Sequence, residues 1–268
     1  MASEINIHQI YYNTATQSAL DPGFIPLDNS KNERPDWYEY HPIRTFLLNN
    51  ALSSEAYYGF FSPNFGAKTK LTAAQVKRFI TSHDGADVII FCHLFDTSAF
   101  SQNLFMQGDR HHPGLIARGE EFLRSVGMSV NLNQLVTDST NTVFSNHFVA
   151  KPKFWTKWFA LGEQLYSYAE QPNSKLAQRT KYGDRSDVQL KVFLMERLAS
   201  LLLVTESFST ATYPPNEVPM VSMELVDYAL IGDALKIAYG RHKNNKYLDA
   251  YHKFINALSQ QLSKSGSL

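Results

Sequence analysis

The chain has 268 residues, 44% hydrophobic and 19% charged, with 25 basic side chains against 25 acidic ones. That composition is globular and long enough for a sizeable core, built as one large domain or two small ones. A net charge of zero excludes the basic excess of an extended nucleic-acid footprint, so no nucleic-acid partner is expected.

The amino terminus, MASEINIHQIYYN, has no basic stretch leading into an apolar one, so no secretory signal is expected. The longest apolar run, Leu198–Val204, is far short of the roughly 18 residues a spanning helix needs. The single cysteine, Cys92, lies in an apolar run and reads as a small buried residue. One cysteine permits no disulfide within the chain and suits a reducing compartment. A cytoplasmic location is expected, and attachment to the inner face of a membrane is compatible with it.

Ile5–Tyr12 alternates apolar and polar residues and predicts a strand. Asp21–Pro42 is rich in Pro, Asn and Asp and reads as one long loop, a length that in a compact domain marks either function or a wrong assignment. Ile43–Leu52 predicts a helix with Pro42 at its start, and Tyr57–Phe61 a strand. Thr72–Ser82 is amphipathic: Val76, Phe79 and Ile80 share a face, and Thr72 is placed to cap. Asp87–Cys92 is nearly all apolar and predicts a buried central strand. Pro113–Val126 predicts a helix and Thr142–Val149 a strand. From Lys153 the pattern turns helical, with Phe154, Trp158, Leu161 and Leu165 at helical spacing. Val188–Val204 is apolar almost all round and predicts a buried helix. Glu224–Tyr239 and Lys246–Leu262 are two further amphipathic helices. Strands alternating with helices predict an α/β sandwich. A single domain over residues 1–268 is expected, with a mixed α/β part over residues 1–150 and a mostly helical part over residues 151–268.

Chemistry concentrates in two segments. In NLFMQGDRHHPGL, Asp109, Arg110, His111 and His112 stand together before a Pro-Gly turn, with Gln107 just upstream. Imidazole beside carboxylate suits a divalent metal, but no H-x-x-x-H or Cys-based pattern accompanies it. Hydrogen bonding to a polar ligand and a solvated surface loop are the other two readings. In VFSNHFVAKPKFW, Asn146 shares a strand face with Phe144 and Phe148 while His147 faces the other way. A polar group among apolar residues needs a partner, from backbone or ligand. Lys151 and Lys153 stand at that strand's exit, where a diphosphate could be held.

Glu196 and Arg197 interrupt VFLMERLASLLLV, where a charge must be paired, exposed on a narrow stripe or functional. The early loop adds Asp28, Asn29, Asn32, Glu33, Arg34 and Asp36, a density that suits contact with a carbohydrate or nucleotide. The glycine patterns of dinucleotide-binding, P-loop and nucleophile-elbow proteins are absent.

Taken in order, IYYN, DPGFIPLDNSKNERPDWYEYHPIR, YYGFFSPNFGAKT, ADVIIF, QGDRHHPGL, VFSNHFVAKPKFW and ERLASLLL resemble a family of bacterial glycosyltransferases of surface-polysaccharide synthesis (O-antigen or capsule). The resemblance runs from about Ile5 to Val204. It implies a GT-A-like fold, with a Rossmann-type mixed sheet binding a nucleotide-diphosphate sugar and a glycan or lipid-linked saccharide as acceptor. It puts Tyr11, Tyr12 and Asn13 near the nucleotide, the SNHFVAK segment near donor sugar and acceptor, and Glu196 at the back of the site. Transferases of this fold mostly hold a divalent metal, Mn2+ or Mg2+, through Asp-x-Asp. No such triplet occurs here, and Asp96 stands alone where it is expected, which leaves metal dependence open. An inverting transferase needs a general base, for which Asp109, His112 and Glu196 are the candidates in that order. The rival readings are a metal-dependent hydrolase or phosphoesterase on Asp109, His111 and His112, and a non-catalytic carbohydrate-binding subunit of a larger assembly.

Overall fold

A computed structural model describes residues 3–91, 94–182 and 185–265. Cys92 lies outside them, so the reading of its burial does too. The chain runs β1 (Glu4–Tyr11), α1 (Thr14–Ser18), β2 (Ile25–Asp28), α2 (Tyr40–Asn49), β3 (Ala56–Phe61), α3 (Phe65–Thr69), α4 (Ala73–Ser82), β4 (Val88–Ile90), α5 (Phe95–Ala99), α6 (Leu104–His111) and α7 (Leu115–Ser125). It continues through β5 (Phe148–Ala150), α8 (Pro152–Ala169), the hairpin β6 (Arg179–Tyr182) and β7 (Arg185–Gln189), α9 (Leu190–Thr205), β8 (Thr210–Thr212), α10 (Val226–His242) and α11 (Asn245–Ser265).

The main sheet has six strands in the order β2-β1-β3-β5-β4-β8. β1 pairs in parallel with β2 and β3, and β4 with β8, while β5 is antiparallel to both β3 and β4. The expected α/β class with helices flanking a mixed sheet is therefore present. Period-two patterning divides the side chains of the central strands between two cores. Tyr58, Phe60, Val88 and Ile90 enter the larger one, with Trp155, Trp158 and the apolar helix α9. Tyr57, Phe61 and Ile89 enter the smaller, beneath α3 and α4. All six residues of β3 are buried, as a strand covered on both faces should be.

Three expectations change. The stretch read as one loop over Asp21–Pro42 contains β2, a 3-10 turn at Pro35–Trp37 and the start of α2. Four residues of edge strand, one of them Pro26, leave too short an alternation to read from sequence. The strand expected over Thr142–Val149 shrinks to Phe148–Ala150, because Ser145 and Asn146 have left-handed backbones (φ +54° each) that cannot continue a ladder. Thr210–Thr212, where no strand is expected, adds an edge strand to the main sheet, and the carboxyl-terminal part stays mostly helical. The Thr72 cap is borne out as a capping box with Gln75. Among the described residues no helix is long and apolar enough to cross a membrane.

Candidate functional site

A cleft of about 1190 Å³ opens along the edge of the sheet where the parallel strands end. Its walls come from the residues that follow those ends: Tyr12 after β1, Ser62 and Asn64 after β3, and Leu94 after β4. Because β5 runs the other way, its entry rather than its exit lies at this edge, and Ser145 and Asn146 join the wall. From β1 the chain first adds β2 on one side and then β3 on the other. The β1/β3 junction is thus a topological switch point, the position where open α/β sheets hold ligands. Helix α9 closes the back with Val192, Phe193, Glu196 and Arg197, and the segment after β2 covers the front with Asn32, Trp37 and Tyr38.

Backbone strain collects here. Seven non-glycine residues have positive φ among the described residues, and five of them, Asn32, Tyr38, Leu94, Ser145 and Asn146, line the cleft. The other two, Lys70 and Lys243, are ordinary left-handed helix caps. Tyr38, at φ +47° and ψ −130°, sits in a region that side chains avoid. Such conformations cost about 1–3 kcal/mol each and persist where a site over-determines them.

The polar groups of the wall are partly tied and partly open. Glu196 Oε1 accepts from Ser145 N at 2.6 Å, and Lys68 Nζ donates to Ser145 Oγ at 2.9 Å. Arg197 is spent on structure: its guanidinium donates to Leu104 O, Phe193 O and Gln107 Oε1 at 3.0, 2.8 and 3.1 Å. By contrast, Asn146 Oδ1 and Ser62 Oγ are buried in residues only 7% and 3% exposed and have no hydrogen-bond partner among the described residues. Burial pushes the Glu39 carboxyl above the usual glutamate range; its own backbone opposes this most, the negative charge of Glu196 adds to it, and Lys68 opposes it least. Burial and the Glu39 charge likewise push the Tyr12 hydroxyl up.

The expected site residues divide accordingly. Tyr12, Gln107, His111, His112, Asn146 and Glu196 line the cleft together. His112 is stacked on Phe193 with ring centroids 3.5 Å apart. Asp109 is on no cleft wall. It belongs to α6, not to a loop, and its Oδ1 accepts from Gly114 N and Ile116 N at 3.1 and 3.0 Å, tying down the start of α7. Arg110 is exposed outside the cleft.

His147 faces away into the smaller core, edge-on to Phe61 and Phe65. Lys151 leaves β5 at the opposite edge of the sheet, because that strand is antiparallel, and donates to Asp84 O at 3.1 Å. Asp96 is buried under bonds from Thr97 N and Ser222 N.

Asn13 caps α1. Tyr11 hydrogen-bonds Asp28, which also accepts from Ser30 N at 2.7 Å. Asn29 is buried beside the end of β1, its N–H on Tyr11 O. Arg34 joins Asp36, Glu170 and Tyr166 outside the lining.

Glu39, Lys68, Asn32, Ser62 and Tyr38 line the cleft without having been expected there as ligand-facing groups, Asn32 excepted as a member of the loop cluster. The one available signal was WYEY, a run of rings around an acid after Pro-Asp.

No group of three or more His, Cys, Asp or Glu side chains that could hold a metal occurs among the described residues. With Asp109 and Asp96 committed to backbone N–H groups, neither replaces the missing Asp-x-Asp, and the hydrolase triad on Asp109, His111 and His112 does not form. Compared with protein-family models, with curated proteins and with solved structures, the chain matches none of them.

Proposed function

We propose that this chain is a glycosyltransferase that moves a hexose from a nucleotide-diphosphate sugar to a hydroxyl of a glycan or lipid-linked acceptor, on a GT-A-like variant of the mixed sheet. The observation that carries the reading is the gathering of five strained residues and two unpartnered buried oxygens, Asn146 Oδ1 and Ser62 Oγ, at the β1/β3 switch point. Switch points of this kind receive nucleotides. The wall offers amides, hydroxyls and carboxylates, the groups that hydrogen-bond a polyhydroxylated ligand, and Tyr12 supplies a half-buried ring at the end of β1.

The side chains of the cleft do not fit the usual metal arrangement: among the described residues no three His, Cys, Asp or Glu side chains converge on one point. Charge on the departing diphosphate is met by the Lys68 ammonium, which lines the cleft on α3. A thermal-shift screen against UDP, GDP and dTDP, each with and without manganese, tests the donor site. At least one should raise the melting temperature progressively with concentration, as a ligand of the native state must. No shift with any of them under either condition would overturn the reading.

A further inference from the structure

Four titratable groups face one another across the cleft, each from a different element. Glu39 enters from the turn before α2, Glu196 from the middle of α9, Lys68 from α3 and Tyr12 from the end of β1. His111 and His112 from α6 and its end, Arg197 from α9, and Tyr38 and Tyr40 from the turn into α2 and its start complete the ionisable lining. Ser145 ties two of these down, taking Glu196 on its N–H and Lys68 on its Oγ. Glu39 is held differently: it stands at the start of α2, and its approach is fixed by the strained turn at Tyr38 immediately before it. Asn146, more than nine-tenths buried, lines the same space, and its amide oxygen has no hydrogen-bond partner among the described residues.

We propose that Glu39 takes the proton from the acceptor hydroxyl, and that Glu196, on the α9 wall of the same cleft, is a positioning residue for it. This rests on the transferase reading. The acceptor oxygen forms its bond to the anomeric carbon of the donor with its own electron pair. The bond from that carbon to the diphosphate oxygen breaks, and its pair leaves with the nucleoside diphosphate. The acceptor proton ends on the Glu39 carboxylate and passes later to water. A base works best when its proton affinity lies near the operating pH. Burial and the facing Glu196 move Glu39 in that direction, while Lys68 restrains the shift. Asp109 stands on no wall of the cleft, so an acceptor held there is out of its reach.

The test uses UDP-glucose, GDP-mannose and dTDP-glucose as donors with octyl glycosides as acceptors, read as nucleoside diphosphate released. Glu39→Gln should lower kcat by about 10²–10⁴-fold while nucleoside diphosphate still raises the melting temperature. Glu39→Asp should retain part of the rate. Glu196→Gln should move the acidic limb of the kcat profile to lower pH, and move the Glu39 carboxyl titration seen by carbon NMR the same way. A Glu39→Gln enzyme turning over at the wild-type rate overturns the assignment and leaves the transferase reading standing. An acidic limb and NMR titration unmoved in Glu196→Gln overturn the role given to Glu196. Wild-type protein that neither binds nucleoside diphosphate nor consumes any donor overturns both proposals together.

Discussion

Glu196 Oε1 lies 2.6 Å from the Ser145 N–H, joining a mid-helix carboxylate to a left-handed loop residue 51 positions away. The bond explains why an acid is placed on a helix that is otherwise almost wholly buried and apolar. Without an acceptor at that point the Ser145 N–H would face a half-buried wall unpaired. Glu196→Ala should therefore lower stability by about 1–2 kcal/mol, the cost of stranding a partly buried donor. Glu196→Gln, which still offers an oxygen, should stay within about 1 kcal/mol of wild type on the same scale. Urea unfolding of the three proteins checks this; equal losses for Ala and Gln would show that charge, not the bond, is what matters.

Tyr38 supplies a test of whether the cleft stores strain. Its φ of +47° with ψ of −130° is open to glycine and closed to side chains. At an ordinary position glycine is the less stable replacement by roughly 0.5–1 kcal/mol relative to alanine. Here the order should reverse: Tyr38→Gly should be more stable than Tyr38→Ala by about 1–3 kcal/mol, the cost of holding a side chain in that region. Both should weaken ligand binding, since both remove the ring. An alanine variant as stable as the glycine one would mean the turn relaxes freely and holds no strain.

The central strands, the Thr72 cap and the burial of α9 are legible in the sequence because each rests on a periodicity or a local cap. Asn146 and Glu196 are legible for a related reason, as polar groups where the apolar pattern leaves no room for them, whereas Tyr12 is expected only through the family resemblance. Asp109 misleads because Pro113-Gly114 reads as the end of a loop. Asn103, accepting from Phe105 N and Met106 N, instead starts a helix through that motif. Lys68 is invisible beforehand because it breaks no pattern, and Glu39 is marked only by the rings of WYEY around it; they enter the cleft because the segments after β3 and after β2 meet at one end of the parallel strands. The antiparallel β5 has the same character, since direction is a property of the sheet and not of the strand's residues. It moves Lys151 to the far edge.

The front of the cleft is clasped by a group of charges. Lys191, 3% exposed, reaches Asp36 at 2.5 Å and Glu170 at 3.2 Å, with its ammonium 4.4 Å from the centre of the Trp37 ring. Arg34 bridges the same two acids. The hydrogen bond from Arg34, followed by that from Lys191, holds the Asp36 carboxyl well below the usual range, against the upward pull of burial. Burial also lifts Glu170, yet bonds from Arg34, Trp37 and Lys191 leave it lowered. A carboxyl depressed in the folded state contributes stability that is present above its unfolded value, near 4, and lost as pH falls through the folded value. Stability should accordingly drop as pH is taken from about 5 toward 3. Lys191→Met should cost about 1–2 kcal/mol at pH 7, less than a fully buried pair because both acids are about a third exposed. The variant should also lose less between pH 5 and 3. Chemical denaturation at several pH values decides it, and identical acid profiles for the two proteins would deny the clasp its role.

Gly108 bears on how α6 is locked to α9. A Cβ at this position would stand 2.6 Å from Arg197 Nη2 and 2.6 Å from Leu115 Cδ2. Glycine inside an exposed helix normally costs close to 1 kcal/mol relative to alanine, so the close approach is what requires it. Arg197 is buried and its three acceptors, Leu104 O, Phe193 O and Gln107 Oε1, fix its place, so it has little room to withdraw. Gly108→Ala should therefore destabilise the protein by about 1–3 kcal/mol through overpacking, in spite of the gain in helix propensity. Because the displaced guanidinium carries Gln107 on the cleft wall, ligand affinity should fall as well. Ala substitution at the neighbouring exposed Arg110, on the same helix, serves as the control and should change stability by no more than about 0.5 kcal/mol. A Gly108→Ala protein more stable than wild type would show that α6 moves freely against α9.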